Sequence, residues 1–171
     1  MIVVGFDVSS SAIGWCALVK DQSSPKLLDC GYFKPTKKGS IFDRLHDAET
    51  KALAIMNRFK PDVIGIEDII KYFPHKSSAN TIVTLAVFNR TIGLAATRSG
   101  YPVQLYNVMA IRHGLKQSKV LPKKEDMPEL VSKLLNIQFP YRLNKKKKPV
   151  DENLDMADGI AVALFTFKKN Q

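Results

Sequence analysis

The chain has 171 residues, 45% of them hydrophobic and 25% charged, proportions that exclude a disordered, collagen-like or coiled-coil protein. No stretch reaches the ~18 unbroken apolar residues of a membrane span, and Met1 to Asp7 carries neither a basic leader nor a small-residue cleavage site, so the expectation is a cytoplasmic protein with no membrane contact. Lysine and arginine total 26 against 16 acids, a net charge of +10 that points to a polyanionic partner, most often nucleic acid.

Taken in order, Ile2 to Val8 is an apolar, β-branched run that contains an acid near its end. After the turn residues Ser9-Ser10-Ser11, Gly14 to Lys20 returns as a second strand, so the pair predicts a hairpin. Lys26 to Phe33 alternates as a third strand, and Pro35 to Ser40 has loop composition. Ile41, Leu45, Ala48, Ala52, Ile55 and Phe59 then recur every three to four residues, the period of an amphipathic helix that Pro61 ends. Asp62 to Glu67 is a short buried strand, again closing on an acid.

A helix from about Ser78 to Arg98, capped by Ser77 or Ser78, is apolar on more than one face through Ile82 to Phe88. A single sheet covers only one of those faces, so the other meets either the rest of the core or a second subunit. Pro102 to Tyr106 reads as the last strand, Asn107 as the cap of a short helix to Gly114, and Met127, Leu130, Val131 and Leu134 as a further amphipathic helix. Asn144 to Lys148 is a tetralysine loop closed by Pro149. A final helix from about Asn153 to Lys168 turns Leu154, Ala157, Ala161 and Leu164 inward. Continuous apolar strands joined by helices predict an α/β sheet covered on both faces, within one domain spanning 1–171.

The positive charge is concentrated. Between Arg112 and Lys148 stand eleven bases and three acids, a net +8, so the rest of the chain carries only +2. Cys16 and Cys30, with three histidines, have no zinc-site spacing and are expected to be reduced, packed thiols.

Four acids have apolar neighbours. Asp7 closes Ile2 to Phe6, Glu67 closes Val63 to Ile66, and Asp155 and Asp158 interrupt Leu154, Met156, Ala157 and Ile160. Carboxyl ends of strands build the crevice of an open α/β sheet, so Asp7 and Glu67 converge if their strands are adjacent. Asp155 and Asp158, three apart, share one helical face. Four carboxylates in one pocket repel unless cations join them, and an all-oxygen donor set selects a hard ion such as Mg²⁺. Taken singly, each acid reads first as a solvated strand end or helix cap, because acids at element termini are common; it is the combination of four that points to a site. Asp151 is read as a helix N-cap or first-turn acid, outside the site.

Gly5-Phe6-Asp7 with Gly14-Trp15, Ile66-Glu67, and the run Asn153 to Ala163 together resemble the RuvC family of Holliday-junction resolvases, within the RNase H-like superfamily. The resemblance runs almost end to end, and the closing motif is its most specific part. It implies an RNase H-like α/β fold with a mixed five-stranded sheet flanked by helices, and a homodimer joined through the helix after Glu67. It also implies an endonuclease that nicks four-way DNA. On this resemblance Asp7, Glu67, Asp155 and Asp158 match the metal-binding catalytic carboxylates, holding two Mg²⁺ about 4 Å apart, with Mn²⁺ able to substitute.

The sequence departs from the family at Ser9-Ser10-Ser11, where Pro-Gly-Ser is usual, and at Ile70, where bacterial members carry an aromatic; Tyr72 and Phe73 follow shortly after. Lys116, Lys119, Lys123 and Lys145, Lys146, Lys147 and Lys148 are the candidates for phosphate contacts. Tyr72 and Phe73 are candidates for stacking on unpaired bases or, equally, for anchoring their loop on the core. The long basic stretch before Asp155 looks more like phage-encoded relatives than the housekeeping bacterial type, and a phage protein would still act in bacterial cytoplasm. Competing readings are an RNase H-like nuclease acting on flaps, other branched DNA or RNA:DNA hybrids, and a non-catalytic DNA-binding module. An actin-like ATPase needs a second domain for which the chain has no room.

Overall fold

The computed structural model describes residues 1–22, 24–69 and 78–171; Ile70, Tyr72, Phe73 and Ser77 lie outside the described residues. Strands β1 (Ile2–Val8), β2 (Ile13–Asp21), β3 (Ser24–Phe33), β4 (Val63–Glu67) and β5 (Val103–Tyr106) form one sheet in the order β3-β2-β1-β4-β5. The β1–β2 and β2–β3 pairs are antiparallel, whereas β4 is parallel to both β1 and β5. The predicted hairpin is therefore present, and the sheet is mixed.

Helices α1 (Ile41–Phe59) and α2 (Ala79–Arg98) cover one face; α3 (Val108–Leu115), α4 (Met127–Leu135) and α5 (Glu152–Lys169) cover the other. Local chemistry sets the helix starts. Ser40 and Asp43 form a reciprocal capping box at α1, Ser78 accepts the Thr81 N–H at α2, and Asn107 accepts the Met109 N–H at α3. Asp151 holds the N-cap position of α5, but its side chain makes no capping hydrogen bond.

The last helix differs from its sequence reading. Rather than one inward stripe, every residue from Met156 to Phe167 is buried, while Leu154 is only half-buried. The sheet lies on one side of α5, and α3 and α4 close over the other. Its seating is close enough that a methyl at Gly14 would overlap the main-chain carbonyl of Asp155, and one at Gly5 would overlap the backbone of Ala163. Only glycine permits backbones to approach in this way.

On the opposite face α2 buries Phe88, Asn89, Ile92, Ala95 and Ala96, and turns Val83, Val87 and Leu94 to solvent, with 60%, 38% and 49% of their surface exposed. Thus the core covers one apolar face and the second stands open. Cys16 and Cys30 are free, buried register partners across β2 and β3. Among the described residues, no helix is long and apolar enough to cross a membrane.

Candidate active site

Adjacent parallel strands bring the first two acids together: Phe6 is in register with Ile66, so Asp7 and Glu67 follow side by side as β1 and β4 end. The first two turns of α5, docked on β1 and β2, bring Asp155 and Asp158 to the same place. The resulting crevice, about 180 Å³, is lined by Asp7, Ser9, Glu67, Leu85, Asn89, Lys124 and Asp155 among others. Asp158 lies deeper, 8% exposed.

The charges sense one another. Burial, reinforced by Glu67, Asp158 and Asp155, holds the Asp7 carboxyl well above the usual carboxylate range. Burial and then Asp158 push Glu67 up to about 7, against the pull of Arg112 and Lys124. Asp158 is pushed up to about 6, again chiefly by burial. Desolvation and like charge thus act together, and the cluster is poised to release protons when a cation arrives.

In this structure the neutralising cation is Lys124, which the sequence reading did not single out. Its Nζ lies 3.1 Å from Asp155 Oδ1 and 3.5 Å from Asp158 Oδ2. Burial lowers its pKa, but the two aspartates outweigh that and the net shift is upward. With an ammonium among them, no group of three or more acidic, histidine or cysteine side chains among the described residues is close enough to hold a metal ion as it stands. The donor chemistry nevertheless fits a hard divalent cation: oxygen ligands only, and an excess of negative charge that one monovalent ammonium offsets in part. Arg112, the first base of the basic segment and not among the predicted site residues, also pulls on Glu67 and Asp158. Its Nε is the one buried side-chain N or O without a hydrogen-bond partner among the described residues.

The end of β4 is clamped. Asn89, 1% exposed on α2, donates from Nδ2 to the Glu67 carbonyl at 2.7 Å. Its Oδ1 accepts from Arg90, whose other guanidinium nitrogen reaches Asp68 at 2.7 Å.

A sequence model of the family described as "Crossover junction endodeoxyribonuclease RuvC" matches residues 3–166. The chain belongs to the RuvC family of crossover junction endodeoxyribonucleases. It is 25% identical over 165 residues to the RuvC of one strain of Prochlorococcus marinus, covering 96% of each chain, and 27% identical over 167 residues to that of Endomicrobium trichonymphae, covering 96% of this chain and 79% of the other. Its fold is similar to that of Thermus thermophilus RuvC solved with a Holliday junction substrate, with TM-score 0.75, 19% identity and 99% and 96% of the two chains covered. The yeast mitochondrial Holliday junction resolvase aligns with TM-score 0.67 at 13% identity over 97% and 78%. The fold is accordingly the RNase H-like one of RuvC nucleases, which are metal-dependent enzymes.

Within this RuvC scaffold the basic residues separate into two groups. Lys123 is the exposed N-cap of the 3-10 turn that begins with Lys124 and leads into α4, with Lys116 and Lys119 exposed in the preceding loop. Lys145 to Lys148 occupy an exposed turn between the bridged residues Leu143 and Pro149; Asn144 accepts the N–H groups of Lys146 and Lys148, and Lys147 takes a left-handed φ of 57°. The turn leads directly into α5.

Proposed function

We propose that this RuvC chain nicks four-way DNA junctions symmetrically by Mg²⁺-dependent hydrolysis, with Asp7, Glu67, Asp155 and Asp158 as the metal-binding carboxylates. The observation that carries this reading is their convergence, from two strands and one helix, on a crevice that needs more positive charge than Lys124 supplies. Two Mg²⁺ ions bound there would supply an activated water and neutralise the leaving 3′ oxygen, with Mn²⁺ able to replace them. The protein's own part is to bring four carboxyl groups side by side and to fix the end of β4 at Glu67 through the Asn89 clamp. Lys124, which pairs with Asp155 and Asp158 here, would be free to meet the phosphate once divalent ions were bound. No covalent protein intermediate is needed.

Lys116, Lys119, Lys123 and Lys145 to Lys148 hold the DNA arms by phosphate contact. Two nicks at related positions call for two sites, so the working unit is a homodimer, and the open face of α2 is its contact surface. Bacterial sources of the similar proteins support action in the bacterial cytoplasm.

The test is incubation of the protein with a labelled four-way junction, a flap, an RNA:DNA hybrid and a plain duplex, with and without Mg²⁺. Paired nicks in the junction alone, dependent on the metal, are expected. Preferential cutting of the flap or the hybrid would transfer the assignment to another RNase H-like activity.

A further inference from the structure

Outside the stretch from Arg112 to Lys148, the remaining positive charge is also unevenly placed. Residues 34–44 hold Lys34, Lys37, Lys38 and Arg44 against one acid, Asp43, a net +3, so all residues outside the two segments together sum to −1. The shorter segment stands at the crevice end of the sheet. Val8 at the end of β1 is in register with Ile13, and Ile13 with Phe33 at the end of β3. The loop from Lys34 to Ser40 therefore leaves the sheet at the end where Asp7 and Glu67 stand. It leads into α1, which packs on the face opposite α5.

The backbone of this loop is pinned. Asp47 accepts the Thr36 N–H at 2.7 Å, and Lys51 Nζ donates to the Lys34 carbonyl at 2.9 Å. Arg44 ties the loop to the crevice: its Nε donates to the Thr36 carbonyl at 3.3 Å and its Nη2 to the Ser10 carbonyl at 3.0 Å, next to Ser9, which lines the crevice. Both acceptors are neutral, so they leave the charge of Arg44 uncancelled. The acids close by are engaged, Asp43 with the Ser40 N–H and hydroxyl, and Asp47 with Lys51 at 2.7 Å. Lys34 pairs with Glu152. The side chains of Lys37 and Lys38, by contrast, are exposed and make no hydrogen bond or ion pair among the described residues.

Beside them stands Phe42, 78% exposed, the most exposed large hydrophobic side chain among the described residues. The core does not need it, since α1 fills its share with Leu45, Ala48, Ala52 and Met56. Ammonium groups held next to an open aromatic ring suit a ligand that is anionic and apolar by turns, as the phosphates and deoxyriboses of a nucleic acid strand are. An acidic protein surface would satisfy the lysines alone, and its place at the rim of a nuclease crevice commits this surface to the DNA.

We propose that Lys37, Lys38 and Phe42 form a second DNA-contact surface, at the rim of the crevice on the α1 side, in addition to the stretch from Lys116 to Lys148. The two lysines meet phosphates of one DNA arm, and Phe42 packs against the sugars between them. Arg44 is the brace that keeps the loop at the rim. The identity of the DNA rests on the RuvC nuclease reading, whereas binding at this surface needs no metal and no cutting.

The test is binding of a labelled four-way junction by the full-length protein in chelator, read by fluorescence anisotropy over a range of salt. Lys37→Ser/Lys38→Ser should weaken binding about tenfold or more near ~0.1 M salt and make the slope of log K against log salt shallower by about 1.8. Phe42→Ala should weaken binding severalfold with the slope unchanged, because an apolar contact releases no counterion. Lys20→Ser/Lys26→Ser removes the same charge from the other end of the sheet, where Lys20 bonds the Met1 carbonyl and Lys26 is in register with Val19, and should leave the slope as in wild type. Matching melting curves check that all the variants fold. Unchanged affinity in the Lys37/Lys38 and Phe42 variants overturns the surface, and so does an equal loss in the Lys20/Lys26 variant, which would reduce the effect to net charge. A lower sedimenting mass for Phe42→Ala with undiminished DNA binding overturns it too, making the face a contact between copies of the chain. Cutting is read separately: a wild-type protein that shows these binding effects but cuts no junction with Mg²⁺ supports the surface and overturns the nuclease reading alone.

Discussion

The ammonium of Lys124 stands 3.1 Å from the Asp155 carboxylate, so the metal-free site carries its own counter-ion. Replacing it with alanine leaves the acids unbalanced. Because the lysine is 44% exposed, solvent screening limits the loss of stability to about 1 kcal/mol. A Lys124→Ala protein in chelator should melt a few degrees below wild type and regain more stability than wild type does when Mg²⁺ is added. Identical melting of the two proteins in chelator would show that the lysine balances nothing.

Stability should depend on pH in a direction set by the raised carboxyls. Glu67 moves from 4.5 to about 7 and Asp158 from 3.8 to about 6, so the folded state binds protons more tightly than the unfolded chain. The stabilisation they give is complete below about pH 4 and is lost as pH rises through 6 to 7. Metal-free protein should therefore melt at lower temperature at pH 8 than at pH 5.5. Glu67→Gln should flatten that trend, and Mg²⁺ affinity should rise over the same interval as the acids ionise. Melting curves across pH, with and without metal, check each point.

The carboxylates can be tested one at a time. Asp7→Asn, Glu67→Gln, Asp155→Asn or Asp158→Asn should lower the hydrolysis rate on the order of a hundredfold or more, since each removes several kcal/mol of charge stabilisation through the metal. Junction binding should persist, because lost negative charge does not weaken a phosphate contact. Gel-shift and single-turnover cleavage on one preparation separate the two effects.

Neutralising Lys145 to Lys148 to serine should weaken binding to all branched DNA. If all four reach phosphates, the slope of log K against log salt becomes shallower by up to about 3.6. The turn is exposed and is held by Asn144 rather than by its lysines, so the fold should be unaffected. An unchanged slope would make the lysines simple surface charge.

Val87 faces outward on α2 between the exposed Val83 and Leu94, so Val87→Glu places a charge on the open face without entering the core. Sedimentation should then show a species near 19 kDa where the unmodified protein gives about twice that, with single nicks replacing paired ones. A wild-type monomer, free and junction-bound, would remove α2 as a dimer contact.

Elements with a strong period were legible from residues alone. The stripe Leu45, Ala48, Ala52 reported α1, and the apolar runs ending on Asp7 and Glu67 reported strands that the fold sets side by side. Those acids were conspicuous because hydrophobic neighbours surround them. Lys124 and Arg112 were not, since one base among eleven in a basic segment carries no local mark; only the docking of α3 and of the turn before α4 against α5 selects them. The period of α5 misled for a related reason. Periodicity reports which face is most apolar, and it cannot tell that α3 and α4 later cover the remaining one.

The helix α5 contributes two of the four acids and is also the filling of one face of the sheet, packed onto Gly5 and Gly14. A translation product ending before residue 152 would keep Asp7 and Glu67 but lose both their partners and the layer that buries Val3, Cys16 and Leu18. Such a fragment would expose one whole face of its sheet as well as lacking half of the acids, so fold and site stand or fall with the same eighteen residues.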